Sequence, residues 1–174
     1  PVNSLRHIKL KQIEVPDLPE MGVALEGIQA TWPENADSAL LPEFDVFNRQ
    51  SRYIEVFNKG KGFFKFDIEA AAPWIQFSTN SGTVEKDMRV WVQIDWNQVP
   101  EEKNSGSFTV TALGRQVVVG VSAFKPAEPA PDMLKGFVEA NGYVSMEAAH
   151  FASNTPAGEN KWIEIEDFGH TLSG

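Results

Sequence analysis

Apolar and polar residues alternate with a period of two along most of this chain, as they do in β-strands that bury one face. No window longer than a turn or two shows the 3.6-residue stripe of an amphipathic helix. About seven short strands, separated by turn residues and spaced roughly ten residues apart, are typical of an antiparallel β-sandwich. Two sheets closing over one core are therefore predicted. The predicted strands are 21–32, 52–58, 63–68, 74–78, 89–96, 107–113 and 115–124.

Prolines divide the chain after the last of these strands. Pro126, Pro129 and Pro131 fall close together, and since proline cannot donate to a β-ladder, an extended linker is predicted there. Beyond it, residues 142–151 and 161–166 alternate again and predict two more strands. Two strands do not make a domain, so they are expected to begin a module whose remainder is absent.

The predicted organisation has four parts. Residues 1–20 are expected to be a tail from an upstream domain, and residues 21–124 form the sandwich. A Pro-rich linker covers 125–135, and an incomplete second β module covers 136–174. Because the chain starts with a proline and stops within this module, both ends are expected to be cut from a longer polypeptide.

Composition excludes several classes of function. The chain has 15 basic and 24 acidic residues, a formal net charge of −9, and no cluster of Lys and Arg. A surface that follows nucleic-acid phosphates needs the opposite balance, so no nucleic-acid partner is expected. The absence of cysteine removes disulfides, thiolate nucleophiles and Cys-ligated zinc. The longest uncharged apolar stretch, 116–124, is too short for a membrane span.

Catalytic motifs are also missing. The three histidines, His7, His150 and His170, do not have metal-ligand spacing. There is no Gly-x-Ser-x-Gly nucleophile elbow, no Gly-x-Gly-x-x-Gly loop and no Walker lysine. Histidines on the surface or partly buried are the simpler interpretation.

Carboxylate pairs are the remaining route to catalysis, because glycosidases hold two Asp or Glu residues across a sugar. The candidates are Asp95, the pair Glu164 and Glu166, and the pair Glu139 and Glu147. Spacing does not separate them from ordinary solvated charges, since alternate carboxylates usually line the wet face of a sheet.

Five tryptophans are more suggestive, because flat indole faces stack on sugar rings. Trp91 alternates with Val90 and Val92 and is therefore expected to be exposed if the valines are core. Trp74, after a proline at a strand start, is expected in the core. The pattern does not decide the exposure of Trp32, Trp96 and Trp162. The candidate carbohydrate-binding residues are Trp91, Trp96 and Trp162.

Several short motifs occur in order along the chain. They are MGVALEG from Met21, LPEFD from Leu41, RYIEVFNKG from Arg52, PWI at Pro73, SGTV at Ser81, VQIDW at Val92 and GFVEANGYVSMEA from Gly136. As an ordered set they resemble the C-terminal part of glycoside hydrolase family 115 over nearly the whole chain.

This resemblance implies part of a xylan α-1,2-glucuronidase, an enzyme that removes glucuronic acid or its 4-O-methyl ether from xylan. In that family the catalytic groups belong to an upstream (β/α)₈ barrel, and the alternating strands and helices of such a barrel are absent here. No catalytic residue is therefore assigned to this chain. The resemblance implies a non-catalytic, immunoglobulin-like accessory sandwich in a periplasmic or secreted enzyme.

The second module has a resemblance of its own. The run YVSMEAAHF from Tyr143 is similar to the first strand of jelly-roll carbohydrate-binding modules, which often opens with Glu-Ala-Glu. An acidic pair at that place often helps to hold a structural calcium. Here Glu147 matches one acid and Ala149 replaces the other, so Glu147 is the candidate metal residue and calcium the one cofactor considered.

Three functional hypotheses remain. In the leading one the chain packs on the catalytic barrel of the same polypeptide or on a partner subunit, which includes a second copy of itself. In the alternative it is a binding module that grips xylan through Trp91, with Trp96 or Trp162. The net charge of −9 weighs against attraction of glucuronate, itself an anion, and favours the first. The third hypothesis is catalysis by Asp95 or by paired glutamates.

Overall fold

Two β-sheets packed face to face dominate the computed structural model, which describes residues 14–140, 142–146, 151, 153–163 and 165. The predicted all-β sandwich is thus confirmed. The strands in chain order are β1 (Met21–Leu25), β2 (Thr31–Trp32), β3 (Ala39–Leu40), β4 (Phe44–Asp45), β5 (Arg52–Asn58), β6 (Phe64–Ala70), β7 (Ile75–Phe77), β8 (Ser81–Val84), β9 (Asp87–Ile94), β10 (Glu102–Ala112) and β11 (Arg115–Lys125).

The two sheets differ in how their strands pair. Sheet A has the order β2-β1-β5-β9-β7 and is antiparallel. Sheet B has the order β3-β11-β10-β6-β8, and β4 also pairs with β11. Strands β3 and β4 run parallel to β11, and these two short pairings were not predicted. These strands have two residues each, too few for an alternation to be visible in the sequence.

The core lies between the sheets and follows the predicted alternation. In β9, Val90 and Val92 are fully buried while Trp91 between them faces outward. Phe44, Phe66 and Phe108 are the largest fully buried side chains. Full burial of such a side chain contributes roughly 1.5–3 kcal/mol, so these rings are a main source of the stability of the sandwich.

The first predicted strand, 21–32, is a hairpin in the structure. Gly27 between β1 and β2 has a φ of +74°, a left-handed conformation that glycine adopts without a steric penalty. Ile28 N donates to Leu25 O at 3.1 Å and closes the turn. Similarly, Ser81 and Gly82 lie between the predicted strands 74–78 and 89–96, and in the structure they begin β8 and pair with β6.

The last residues of the predicted tail lie against the sandwich. Lys59 N donates to Glu20 O at 2.8 Å, and Lys61 N donates to Pro16 O at 3.0 Å. Between these bonds Gly60 sits so close to the Leu18 carbonyl oxygen that a side chain at position 60 would overlap it. Residues 16–20 are therefore bound to the turn after β5.

After β11 the regular pairing ends. Residues 126–130 follow without a strand, and Pro131–Met133 form a single 3₁₀ turn. At 142–146 and 161–163 the only β-pairing found is the isolated bridge from Ala140 to Tyr143, and a second bridge joins Ala157 to Asn160. The strands predicted over 142–151 and 161–166 lie partly outside the described residues and stay a prediction; among the residues described there, no neighbouring strand supplies a continuous ladder of hydrogen bonds.

Candidate functional site

Strand β9 presents its polar and aromatic residues on the outer face of sheet A. Trp91 is 41% exposed, whereas Val90 and Val92 on either side are completely buried. Arg89 and Gln93 point outward with Trp91, because residues two apart on a strand share a face. The predicted exposure of Trp91 is confirmed, and its indole ring is accessible to a ligand.

Trp91 is held in place by its neighbours on the same face. Its ring meets the Tyr53 ring edge to face, with centroids 5.4 Å apart and an interplanar angle of 72°. The Arg89 guanidinium lies 4.0 Å from the Tyr53 ring centroid, a cation–π distance. We call Tyr53, Arg89 and Trp91 the aromatic platform.

The charge of the platform is compensated within the protein. Arg89 Nη2 donates to Glu55 Oε1 at 2.5 Å, and Arg89 Nε donates to the same oxygen at 3.2 Å. This hydrogen bond raises the pKa of Arg89. The platform therefore offers an aromatic surface with little uncompensated charge.

A polar groove of about 530 Å³ opens on the same side of the molecule, beginning at Gln93. Gln76 on β7 lies directly opposite Gln93 in the sheet register, so the two amide side chains are neighbours. Side-chain amides both donate and accept hydrogen bonds, as the hydroxyl groups of a sugar require. The residues lining the groove are Arg49, Gln50, Gln76, Gln93, Ile94, Asp95, Trp96 and Asn97.

Asp95, which lines this groove, is occupied by internal hydrogen bonds. Gln98 Nε2 donates to Asp95 Oδ2 at 2.6 Å, and the Asn97 backbone N donates to Oδ1 at 3.1 Å. The hydrogen bond from Gln98, followed by that from Asn97, lowers the pKa of Asp95. An acid held ionised in this way is a poor proton donor, which does not suit the general acid of a glycosidase.

The loop between β4 and β5 brings Arg49 to the groove. The Asp45 carboxylate accepts hydrogen bonds from the backbone N of Phe47 at 3.0 Å and of Asn48 at 2.7 Å, and so fixes a tight turn. Arg49 follows with a φ of +47°, in the left-handed region that side chains other than glycine, Asn and Asp seldom adopt. Sequence reasoning missed Arg49, because nothing in the neighbouring sequence distinguishes it from a solvent-exposed arginine in a loop.

The remaining tryptophans lie elsewhere. Trp74 is buried in the core, as predicted, and Trp32 is buried with its Nε1 donating to Asp37 O at 2.7 Å. Trp96 is partly buried against the core and lines the groove. Trp162 is 81% exposed in the segment after the linker. Of the three candidates, Trp91 lies on the outer face of sheet A and Trp96 lines the groove that begins at Gln93, whereas Trp162 belongs to another segment.

The candidate metal residue, Glu147, lies outside the described residues. Glu139 accepts a hydrogen bond from Gly142 N at 2.6 Å. Within the part of the chain that the structure describes, no three His, Asp or Glu side chains come together as a metal site, and no helix has the length and hydrophobicity to cross a membrane. The other titratable candidates outside the described part are Glu164, Glu166, His7, His150 and His170.

Sheet B offers a different outer surface. Leu40 and Val118 are more than half exposed, and Leu40 covers Gly120 of the neighbouring strand. These side chains form a small apolar patch.

Comparison with known families finds a match for the segment after the linker. Residues 136–174 match the family model described as the glycosyl hydrolase family 115 C-terminal domain. The predicted resemblance to the C-terminal region of family 115 is confirmed over these residues. A domain of this kind is an accessory part of a glycoside hydrolase and implies a catalytic domain in such a polypeptide. No curated protein matches the chain.

Several solved structures resemble the sandwich distantly. A GH5 xyloglucanase from Bacteroides ovatus, in complex with a XXXG heptasaccharide, is 18% identical with a TM-score of 0.42, over 62% of this chain and 20% of that chain. The ASH/PapD-like domain of human CEP192 is 14% identical with a TM-score of 0.45, over 74% of this chain and all of that domain. The CsuC–CsuE pilus complex of Acinetobacter baumannii is 12% identical with a TM-score of 0.43, over 62% of this chain and 57% of that chain. The chain thus spans about a fifth of the length of the xyloglucanase, and identities this low transfer neither a ligand nor an activity.

Proposed function

We propose that this chain is a non-catalytic C-terminal accessory region of a xylan α-1,2-glucuronidase, which removes glucuronic acid or its 4-O-methyl ether from xylan. The family 115 match over residues 136–174 is the observation that carries the proposal. The ordered motifs from Met21 to Trp96 support extending it to the sandwich. A periplasmic or secreted location belongs to the proposal, as does a structural calcium in the second module.

The carboxylates of the sandwich support a non-catalytic role. Asp95 accepts hydrogen bonds from its own turn and stays ionised. Glu55 pairs with Arg89, and Glu43 pairs with Lys103 at 2.5 Å. An ionised Asp95 cannot protonate a leaving group, and Glu43 and Glu55 are engaged by the cations beside them.

In this proposal the accessory region acts by packing on the catalytic domain or on a partner subunit. The apolar patch of Leu40 and Val118 supports such a contact, since these side chains are exposed on sheet B and gain from being covered.

The proposal is tested by incubating the purified chain with glucuronoxylan and measuring released glucuronic acid. We expect none from this chain and steady release by a family 115 catalytic domain in the same buffer. Removing this region from such an enzyme is expected to lower its thermal stability or its activity. Release of glucuronic acid by the chain alone would refute the proposal.

A second candidate is retention on xylan through exposed tryptophan, favoured by the accessible ring of Trp91. Affinity electrophoresis in gels containing glucuronoxylan, arabinoxylan or no polysaccharide tests it. Retardation in a xylan gel alone would support binding, and equal migration in all three gels would exclude it and leave the packing role.

A further inference from the structure

The aromatic platform and the polar groove form one strip on the outer face of sheet A. Trp91 and Gln93 are successive outward residues of β9, roughly 7 Å apart along the strand. We propose that this strip binds a short, uncharged stretch of oligosaccharide, with Trp91 stacked on one sugar ring and the groove residues bonded to the hydroxyls of the next. The inference rests on the proposed function in its choice of xylan and deepens the second candidate.

The platform is prepared for stacking before a ligand arrives. The Tyr53 ring packs against the Trp91 ring in a T-shaped contact, and the Trp91 backbone N donates to Ser78 Oγ at 3.0 Å. A ring that is already ordered loses little conformational freedom on binding. Trp91 can therefore offer its accessible surface to a sugar at a low entropic cost.

The amides next to the platform retain hydrogen-bonding capacity. Gln93 Nε2 reaches Ser51 Oγ and Gln76 Nε2 reaches Asp95 Oδ2, each at 3.4 Å, which is long for a hydrogen bond. Neither Oε1 atom has a partner among the described residues. Gln76 and Gln93 can thus turn to sugar hydroxyls and both accept and donate.

Gln50 has a different role although it lines the same groove. Its Oε1 accepts from Asp45 N at 3.0 Å, and its Nε2 donates to the Asp45 carboxylate. Both ends of the amide are therefore used to build the loop. This separates the supporting residue Gln50 from the binding residues Gln76 and Gln93.

Arg49, which lines the groove, supplies hydrogen-bond donors to the strip. Its left-handed backbone is strained for a residue with a side chain, and the loop organised by Asp45 maintains it. Its Nε makes one long bond, to Val46 O at 3.4 Å, and the described residues offer no partner to its terminal nitrogens. The guanidinium can therefore donate to hydroxyl oxygens in the groove.

The balance of charge favours a neutral ligand. The groove holds one cation, Arg49, and one anion, Asp95, whose lowered pKa keeps it ionised. The nearby Arg89 is paired with Glu55, and the whole chain carries a net charge of −9. A uronate would gain from Arg49 and lose to Asp95, so undecorated xylose units suit the strip better.

The test is an NMR titration of the full chain with linear, unsubstituted xylohexaose, repeated with a xylooligosaccharide that carries one glucuronic acid. We expect xylohexaose to shift the Trp91 indole signal and the Gln76 and Gln93 side-chain amides, with the same affinity in 50 mM and about 0.5 M NaCl. Trp91→Ala should weaken binding about tenfold or more, and Gln93→Ala severalfold.

Matched variants separate binding from folding. Trp91→Phe keeps a flat ring and should retain part of the affinity even if Trp91→Ala fails to fold. Trp162→Ala and Val118→Ala remove exposed side chains outside the strip and should leave binding unchanged.

Three outcomes would overturn the inference: no shift with xylohexaose, full affinity in both Trp91→Ala and Gln93→Ala, or tighter and salt-sensitive binding of the glucuronic acid form. A failed titration would leave the accessory-region proposal standing, because that proposal is decided by glucuronic acid release.

Discussion

The strands of the sandwich and the segment after the linker share the same alternation but differ in what the alternation produces. In β9, Val90 and Val92 are fully buried. In the later segment Tyr143 is 61% exposed, Met146 69% and Trp162 81%. Alternation creates an apolar face in both regions, and among the described residues a second sheet covers that face in the sandwich alone. A period of two is thus a necessary feature of such strands and not a sufficient one.

A neighbouring strand also decides whether the backbone N–H and C=O groups find hydrogen-bond partners within the protein. Strand β10 pairs with β11 from Glu102 to Ala112 without interruption. The described residues after the linker make two isolated bridges instead. Because unpaired N–H and C=O groups in that segment must bond to water, its backbone gains little from being extended.

Hydrogen exchange should show the largest contrast between the two regions. Amides in the middle of β10 and β11 are expected to exchange only through global opening, at least about 10³ times more slowly than unprotected amides. Amides of residues 144–146 and 161–163 should exchange almost freely. Mass spectrometry of peptides from both regions measures this. Equal protection would mean that the later segment forms a stable sheet.

Truncating one aromatic residue in each region should show how much that region contributes to the free energy of unfolding. Phe108 is fully buried and meets Phe77 edge to face at 5.0 Å, so Phe108→Ala should lower the free energy of unfolding by about 3–5 kcal/mol. Trp162→Ala removes a larger but exposed side chain and should change it by less than about 0.5 kcal/mol. Urea denaturation followed by circular dichroism provides both values. A loss above about 1 kcal/mol in Trp162→Ala would place Trp162 in a core.

Two glycines of the sandwich differ in how rigid the side chain beside them is. A Cβ at position 106 would lie 2.8 Å from Cζ2 of the buried Trp74, so Gly106→Ala should cost about 1–3 kcal/mol. A Cβ at position 120 would meet the exposed, mobile end of Leu40 at 2.5 Å, so Gly120→Ala should be close to neutral. The urea midpoints of the two variants test this. Equal losses would contradict the role assigned to the rigid Trp74.

The smallest effect is expected from the turn at the polar groove. The folded pKa of Asp95 is lowered from its usual 3.8, so the ionised carboxylate stabilises the fold above that pH, and the contribution disappears as the pH falls through the lowered value. Asp95→Asn should therefore lower the urea midpoint at pH 7 and have less effect at pH 2.5. Asp132→Asn, outside the sandwich, is the control and should change neither midpoint. A deficit that persists at pH 2.5 would show that the loss is not due to charge.

Much of the sandwich was predictable because long strands show a clear alternation of apolar and polar residues in the sequence. Strand β5 matches the predicted 52–58, and the exposure of Trp91 follows from the valines beside it. Strands β3 and β4 were not predictable, since two residues show no period and their pairing with β11 is decided by contacts distant in sequence. The role of Trp91 in binding stays a prediction until it is measured.

By itself the sequence determined the all-β class, the face that each long strand buries and the resemblance to family 115, because these depend on residue type and local spacing. The polar groove was decided only in the tertiary structure. Gln76 and Gln93 meet through the pairing of β7 with β9, and Arg49 joins them because the Asp45 turn sets its backbone. Amides and arginines are common on every protein surface, so their meaning depends on which of them the fold brings together.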